Sequence, residues 1–183
     1  GSSPPPSRQE LLDLARTGDP VRIHQALKQL AEGHAGPAAD QDPGLREVIG
    51  ELLRHPKPKI RLHAHRTSRA VLDRQTYLHH TSLLLTDPRP DLVRSAIRTL
   101  CHATWTPAIP AVTEMLEHRH PTVRRTAAEA LIAMGEPALP ALGHAATHAR
   151  PDKRPLYTAV LDRITAAAAE QGAAGTHAAR RPS

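Results

Sequence analysis

Apolar residues recur three and four positions apart through most of the chain. Val93, Ile97 and Leu100 form one stripe, Val123, Ala127, Ala130 and Met134 a second, and Tyr157, Val160, Leu161 and Ile164 a third. Such spacing gathers each set on one side of a 3.6-residue helix and leaves polar residues on the other. Apolar and polar residues rarely alternate strictly, as a half-buried strand would require. Prolines mark where the helices begin, because proline fits the first turn and breaks the interior. Thr106-Pro107-Ala108-Ile109-Pro110-Ala111-Val112 recurs as Glu136-Pro137-Ala138-Leu139-Pro140-Ala141-Leu142, a period of about 30 residues. Val93-Arg94 recurs at the same interval as Val123-Arg124, with Arg154 after it, and Thr122 and Asp152 share the spacing as candidate N-caps. Ile60-Arg61 stands one unit upstream, the extra length falling in a proline-rich loop.

Each unit therefore opens with an amphipathic helix, and a second helix is predicted at 76–86, 107–118 and 137–148. The stripes predict that Val93, Ile97, Leu100, Val123, Ala127, Leu131, Leu161 and Ile164 are buried between units. Upstream, 7–17, 19–32 and 43–54 read as helices, separated by Gly18-Asp19-Pro20 and by a loop from Gly33 to Gln41. The expected organisation has three parts. Residues 1–6 are an expression scar (Gly1-Ser2-Ser3) and a disordered N-terminus, and 172–183 a disordered tail without apolar periodicity. Between them, 7–171 form one helical array, with 7–54 a divergent N-terminal cap and 55–171 the repeats. The fold class is all-α, a stack in which each helix pair buries its face against the next.

Composition narrows the core. With 183 residues the chain is long enough for one domain with a substantial interior, and with no Phe, one Trp and two Tyr that interior must be Leu, Ala, Val and Ile. No apolar run is long enough to span a membrane, and no basic-then-apolar leader opens the chain. The lone Cys101 excludes an internal disulfide. The expectation is a soluble, cytoplasmic protein, and its richness in Ala, Arg, Pro and His suggests a GC-rich bacterial genome.

The segment from Asp87-Pro88 through Asp91-Leu92-Val93-Arg94-Ser95-Ala96, followed by Pro107-Ala108-Ile109-Pro110, resembles HEAT repeats of the short bacterial, phycobilisome-lyase-like kind. His120-Pro121-Thr122-Val123-Arg124 with Ala127-Ala128-Glu129-Ala130-Leu131 is closer still. The resemblance covers 55–165 well and 7–54 poorly. It implies a right-handed α-solenoid whose second helices line a concave surface. It does not imply bilin attachment, because such arrays serve many unrelated partners.

Charge is concentrated. Arg54, Lys57, Lys59, Arg61, Arg66, Arg69 and Arg74 face Asp73 alone in one stretch, an excess equal to the formal net charge of +6. If 58–72 is a helix, Ile60, Ala64, Thr67 and Val71 form its buried stripe. Lys59, Arg66 and Arg69 then point away with His65 between them. Arg54, Lys57, Lys59, Arg66, Arg69 and Arg74 are the candidate site for a polyanion or an acidic partner; a solvated helix surface is the plainer alternative. The series Arg61, Arg94, Arg124 and Arg154 reads as a structural rung tying each helix to its neighbour, with a phosphate-reading stripe as the rival. His144 and His148 share a helix face, but a pair without a third ligand does not make a metal site.

No glycine-rich phosphate loop, nucleophile elbow or Cys/His zinc spacing occurs, so neither an enzyme nor a cofactor is expected. The reading that follows is a non-catalytic scaffold recognising a protein partner through its helical-repeat surface. Nucleic-acid binding through the basic face is the alternative. A HEAT-like DNA glycosylase stands third, since one Trp (Trp105) and two Tyr leave little to stack on a damaged base.

Overall fold

Helix begins almost wherever a proline or a capping side chain permits it. The computed structural model describes residues 3–33 and 43–179, and they form two units that divide after Leu84. The first holds α1 (Arg8–Thr17), α2 (Pro20–Glu32), α3 (Pro43–Leu52), α4 (Pro58–Val71) and α5 (Arg74–Leu83). The second holds α6 (Pro90–His102), α7 (Ile109–Glu114), α8 (Pro121–Met134), α9 (Leu139–His148) and α10 (Arg154–Ala179). Among the described residues there is no strand. The predicted loop from Gly33 to Gln41 lies, after Gly33 itself, outside them, as do Gly1, Ser2 and 180–183.

In the first unit, α1 and α2 start on side-chain caps. Ser7 accepts the Glu10 N–H at 3.1 Å and Asp19 the Arg22 N–H at 2.9 Å, each satisfying a donor the helix cannot. Helix α1 packs on α2 and α3, and α4 packs on α2, α3 and α5. Leu27, Leu45, Ile49 and Ile60 are wholly enclosed there. In the second unit α6 lies against α8, and α8 and α9 against α10. Val93, Ile97, Leu100, Val123, Ala127, Leu131 and Ile164 are buried as the stripes predict. Leu161 is only half-buried. Tyr157, Val160 and Ile164 form the inward stripe of α10 instead, Leu161 lying one residue round from Val160.

Several local expectations give way to proline. Thr122 does not cap α8: His120 takes that place, Pro121 opens the helix, and the Thr122 carbonyl accepts the Thr126 hydroxyl at 2.9 Å. Asp152 lies in the turn before α10. Thr106 likewise begins a 3₁₀ turn, Thr106–Ala108, with Trp105 at its cap. The predicted second helices are thus composite: Thr106–Ala108, α7 and Met115–Glu117 in one repeat, Glu136–Ala138 and α9 in the next. Paired prolines explain the break, since each removes an N–H donor from the ladder. Between α8 and the second of these, Gly135 has φ 75°, a left-handed backbone that a side chain would strain. Helix α10 continues through Gly172 and Gly175 to Ala179, past Gln171 where the apolar pattern stops, with 171–175 exposed.

The arginine series is structural, but not one ladder. Arg61 donates to the carbonyls of His55 and Pro56 at 2.8 and 3.1 Å, and Arg124 to those of His118 and Arg119 at 2.7 and 3.2 Å. Both sit on the third residue after their helix-opening proline and satisfy the loop that leads into their own helix. Arg94 sits on the fourth residue after Pro90 and is turned by about 100°. It reaches the Thr126 hydroxyl of α8 at 3.3 Å instead. Arg154 donates to the Ala146 carbonyl at 3.1 Å. Arg61 is 6% exposed, so Arg61→Met, which keeps its length, should cost about 1.5–3 kcal/mol in urea denaturation by stripping a charged donor from the loop carbonyls.

Candidate functional site

Helix α4 carries the basic face. Its inward side is Ile60, Ala64, Thr67 and Val71, joined by Ser68 and Arg61, all buried. Lys59, Arg66 and Arg69 lie on the outside, and Arg54, Lys57 and Arg74 are exposed beside its two ends. Arg61, counted in the charge excess, belongs to the interior. Among the described residues none of the other six forms an ion pair with a carboxylate. Asp73, the one acid in the stretch, is committed elsewhere. It caps α5, accepts the Thr76 hydroxyl at 2.6 Å and the Thr76 N–H at 3.1 Å, and lies 3.9 Å from Arg46. The Thr76 hydroxyl is the main reason its carboxyl is held below the usual range.

His65 is not on this face. Its ring stacks on Tyr77 with centroids 5.1 Å apart, and its Nε2 lies 2.8 Å from the Thr81 hydroxyl. Because that hydroxyl donates to the Tyr77 carbonyl, the His65 N–H is the donor here. Burial, with Arg69 nearby, pushes the His65 pKa down to about 4. His80 shares a 2.9 Å hydrogen bond with Ser68 and is likewise pushed down to about 4, chiefly by burial. A Ser–His pair invites a catalytic reading, but Ser68 is 0% and His80 4% exposed, so no substrate reaches either. A further imidazole pair ties α2 to α4: His24 and His63 stack at 4.9 Å with their Nδ1 atoms 2.7 Å apart. These contacts join residues far apart in the chain, and no local spacing signals them.

The second unit holds a groove of about 660 Å³. It runs along the second helices of two successive repeats, α7 and α9, and ends at Tyr157 of α10. Most of its surface is apolar: Ile109 and Pro110 on one side, Pro140, Ala141 and Ala145 on the other. Glu114 and Glu117 stand on the first side and His144 and His148 on the second. The Tyr157 hydroxyl donates to Glu117 Oε2, and burial followed by this bond pushes its pKa up, so it stays a donor. His148 Nδ1 donates to the His144 carbonyl at 2.8 Å, and the two rings lie 4.1 Å apart. Among the described residues no group of three or more His, Cys, Asp or Glu is placed to hold a metal ion, and no helix is long and apolar enough to cross a membrane. Trp105 is half-buried, its backbone N–H donating to the Leu100 carbonyl at 3.0 Å.

The architecture and the open groove define the class: an all-α solenoid of stacked helix pairs. Residues 79–159, from α5 into α10, match the family model described as HEAT repeats, the family the sequence resembles. The upstream helices lie outside that match. Among solved structures, one titled as an engineered protein is 18% identical, with a TM-score of 0.44, and the alignment covers 86% of this chain and 78% of that one. None of the curated proteins matches the chain.

Proposed function

We propose that this chain is a non-catalytic scaffold that binds a protein partner on its repeat surface. The observation that carries this reading is the groove along α7 and α9: apolar, open, and within the segment that matches HEAT repeats, which commonly serve as interaction scaffolds. The buried Ser68–His80 pair offers no accessible nucleophile, and binding by surface complementarity needs no cofactor. Affinity capture from the native host, with and without nuclease, tests the reading. One defined protein should be recovered in both lysates and cross-link to the second unit. Loss of every captured protein on nuclease treatment would overturn it in favour of a nucleic-acid binder.

The basic face supports a second reading, an anionic partner, because Arg54, Lys57, Lys59, Arg66, Arg69 and Arg74 have, among the described residues, no carboxylate neutralising them. Changing Lys59, Arg66 and Arg69 together to Glu leaves the buried stripe of α4 intact, so helical circular dichroism should be unchanged. Binding to an acidic protein or to nucleic acid should be lost. Nucleic-acid binding, measured by electrophoretic shift, should also fall steeply with salt as counterion release weakens. An acidic protein should instead associate more slowly as salt rises. Full retention of every interaction by the folded triple variant would reduce the face to a solvated surface.

A further inference from the structure

We infer that the groove along α7 and α9 takes a cationic amphipathic segment of its partner, one that seats a branched apolar side chain between the apolar sides and places an arginine beside Glu114 and Glu117. This rests on the scaffold reading and names what that scaffold holds. Much of the apolar lining is of small or ring-closed side chains, Pro110, Pro140, Ala141 and Ala145 among them, which leave room between the two helices. A volume near 660 Å³ accommodates a few side chains of a peptide. The charge of the lining selects among peptides. The whole chain carries a formal +6, yet no Lys or Arg lines this groove, and its two formal charges are both negative. An acidic segment or a phosphate backbone would meet two carboxylates, and a cation is what they attract.

The two carboxylates are differently prepared. Glu117 is held by the Tyr157 hydroxyl, donated from a residue 4% exposed, which fixes its position. Glu114 is exposed, and among the described residues it has no hydrogen bond or ion pair, so its charge is available to a ligand. On the other helix, the bond from His148 to the His144 carbonyl holds two imidazole rings together. Flat rings and carboxylates lining one groove suit a planar guanidinium, which accepts stacking and donates in its plane, better than an ammonium. Helical spacing in the ligand would place the apolar and cationic side chains on one face, as in other helix-in-groove complexes.

The test uses three synthetic peptides of about a dozen residues with the same leucine stripe, carrying arginine, citrulline or glutamate on the adjoining positions. Titration calorimetry against the full chain gives the affinities, with the lone Trp105, next to the groove residue Thr106, as a fluorescence check. The arginine peptide should bind, and the citrulline and glutamate peptides should bind at least about tenfold more weakly. Glu114→Lys, a change at an exposed residue whose side chain has no hydrogen bond or ion pair among the described residues, should reverse the order of the arginine and glutamate peptides. Ala145→Leu, which narrows the groove from the α9 side, should weaken every peptide while circular dichroism shows the fold retained. Equal binding of the arginine and glutamate peptides, or an arginine peptide indifferent to Glu114→Lys, would overturn the inference. Capture of the native partner equally by the parent and by folded Glu114→Lys would also overturn it, while leaving the scaffold reading intact.

Discussion

Lowering the pH from 6.5 to 4 is expected to destabilise the first unit far more than the second. His65 and His80 both lie in the contact between α4 and α5, and burial pushes each from an ordinary 6.5 down to about 4. In the unfolded chain they take up protons near pH 6.5, whereas the folded unit resists until about pH 4, so the unfolded state binds more protons between these values. Their contribution is therefore complete above pH 6.5 and drains away as the pH falls through that window. For the nearly enclosed His80 the shift corresponds to about 3 kcal/mol, and for the partly solvated His65 to less. Together these are a large part of the roughly 5–15 kcal/mol that holds a typical domain. His63, lowered chiefly by burial and then by His24 and Arg66, adds to the same trend. Urea titrations followed by circular dichroism at several pH values would show the slope. Replacing His80 with Asn, which keeps an acceptor for Ser68 and cannot titrate, should remove about one proton's worth of it. A stability independent of pH across this range would mean that the α4–α5 contact opens to hydrate its imidazoles.

Leu131→Ala should cost the second unit about 2–5 kcal/mol. Leu131 is 0% exposed on α8, the helix that packs against α6, α7 and α10, so the vacated volume is bounded on several sides by other helices. The matched control is Leu161→Ala on α10. The two leucines are chemically alike, but Leu161 is half-buried, and its loss should cost about 1 kcal/mol or less. Denaturation midpoints of the two variants give the comparison directly. Equal losses would contradict these helix faces, and a change of only a few tenths at Leu131 would show that α8 collapses into the cavity.

The difference between those leucines marks how far the sequence carries. Val123, Ala127 and Leu131 are legible as a buried stripe because helical periodicity is local, and Pro58 is legible as a helix start because proline's constraint acts within one turn, whereas Thr122 reads as the cap of a helix that Pro121 opens. The outward direction of Lys59, Arg66 and Arg69 follows from the same geometry. Leu161 reads as buried because it neighbours Val160 on a helix rich in small apolar residues, where only the packing partner decides which of two adjacent positions faces inward. The arginines show a subtler limit: Val93-Arg94 and Val123-Arg124 share a sequence period, yet the helix starts at Pro90 and Pro121 are one residue out of step with it, and that residue sends Arg94 to Thr126 and Arg124 to its own loop. His65, His80 and the groove between α7 and α9 depend on pairs such as Thr81 with His65, or Glu117 with Tyr157, separated by several turns of helix or by a whole repeat. The helices and the outward charge of α4 are thus written into the order of residues, since they arise from interactions within a few positions. Which histidines are desolvated, which carbonyls each arginine holds and where an acidic groove opens in a basic chain emerge only on packing, because burial and charge environment belong to the neighbours that the fold brings together.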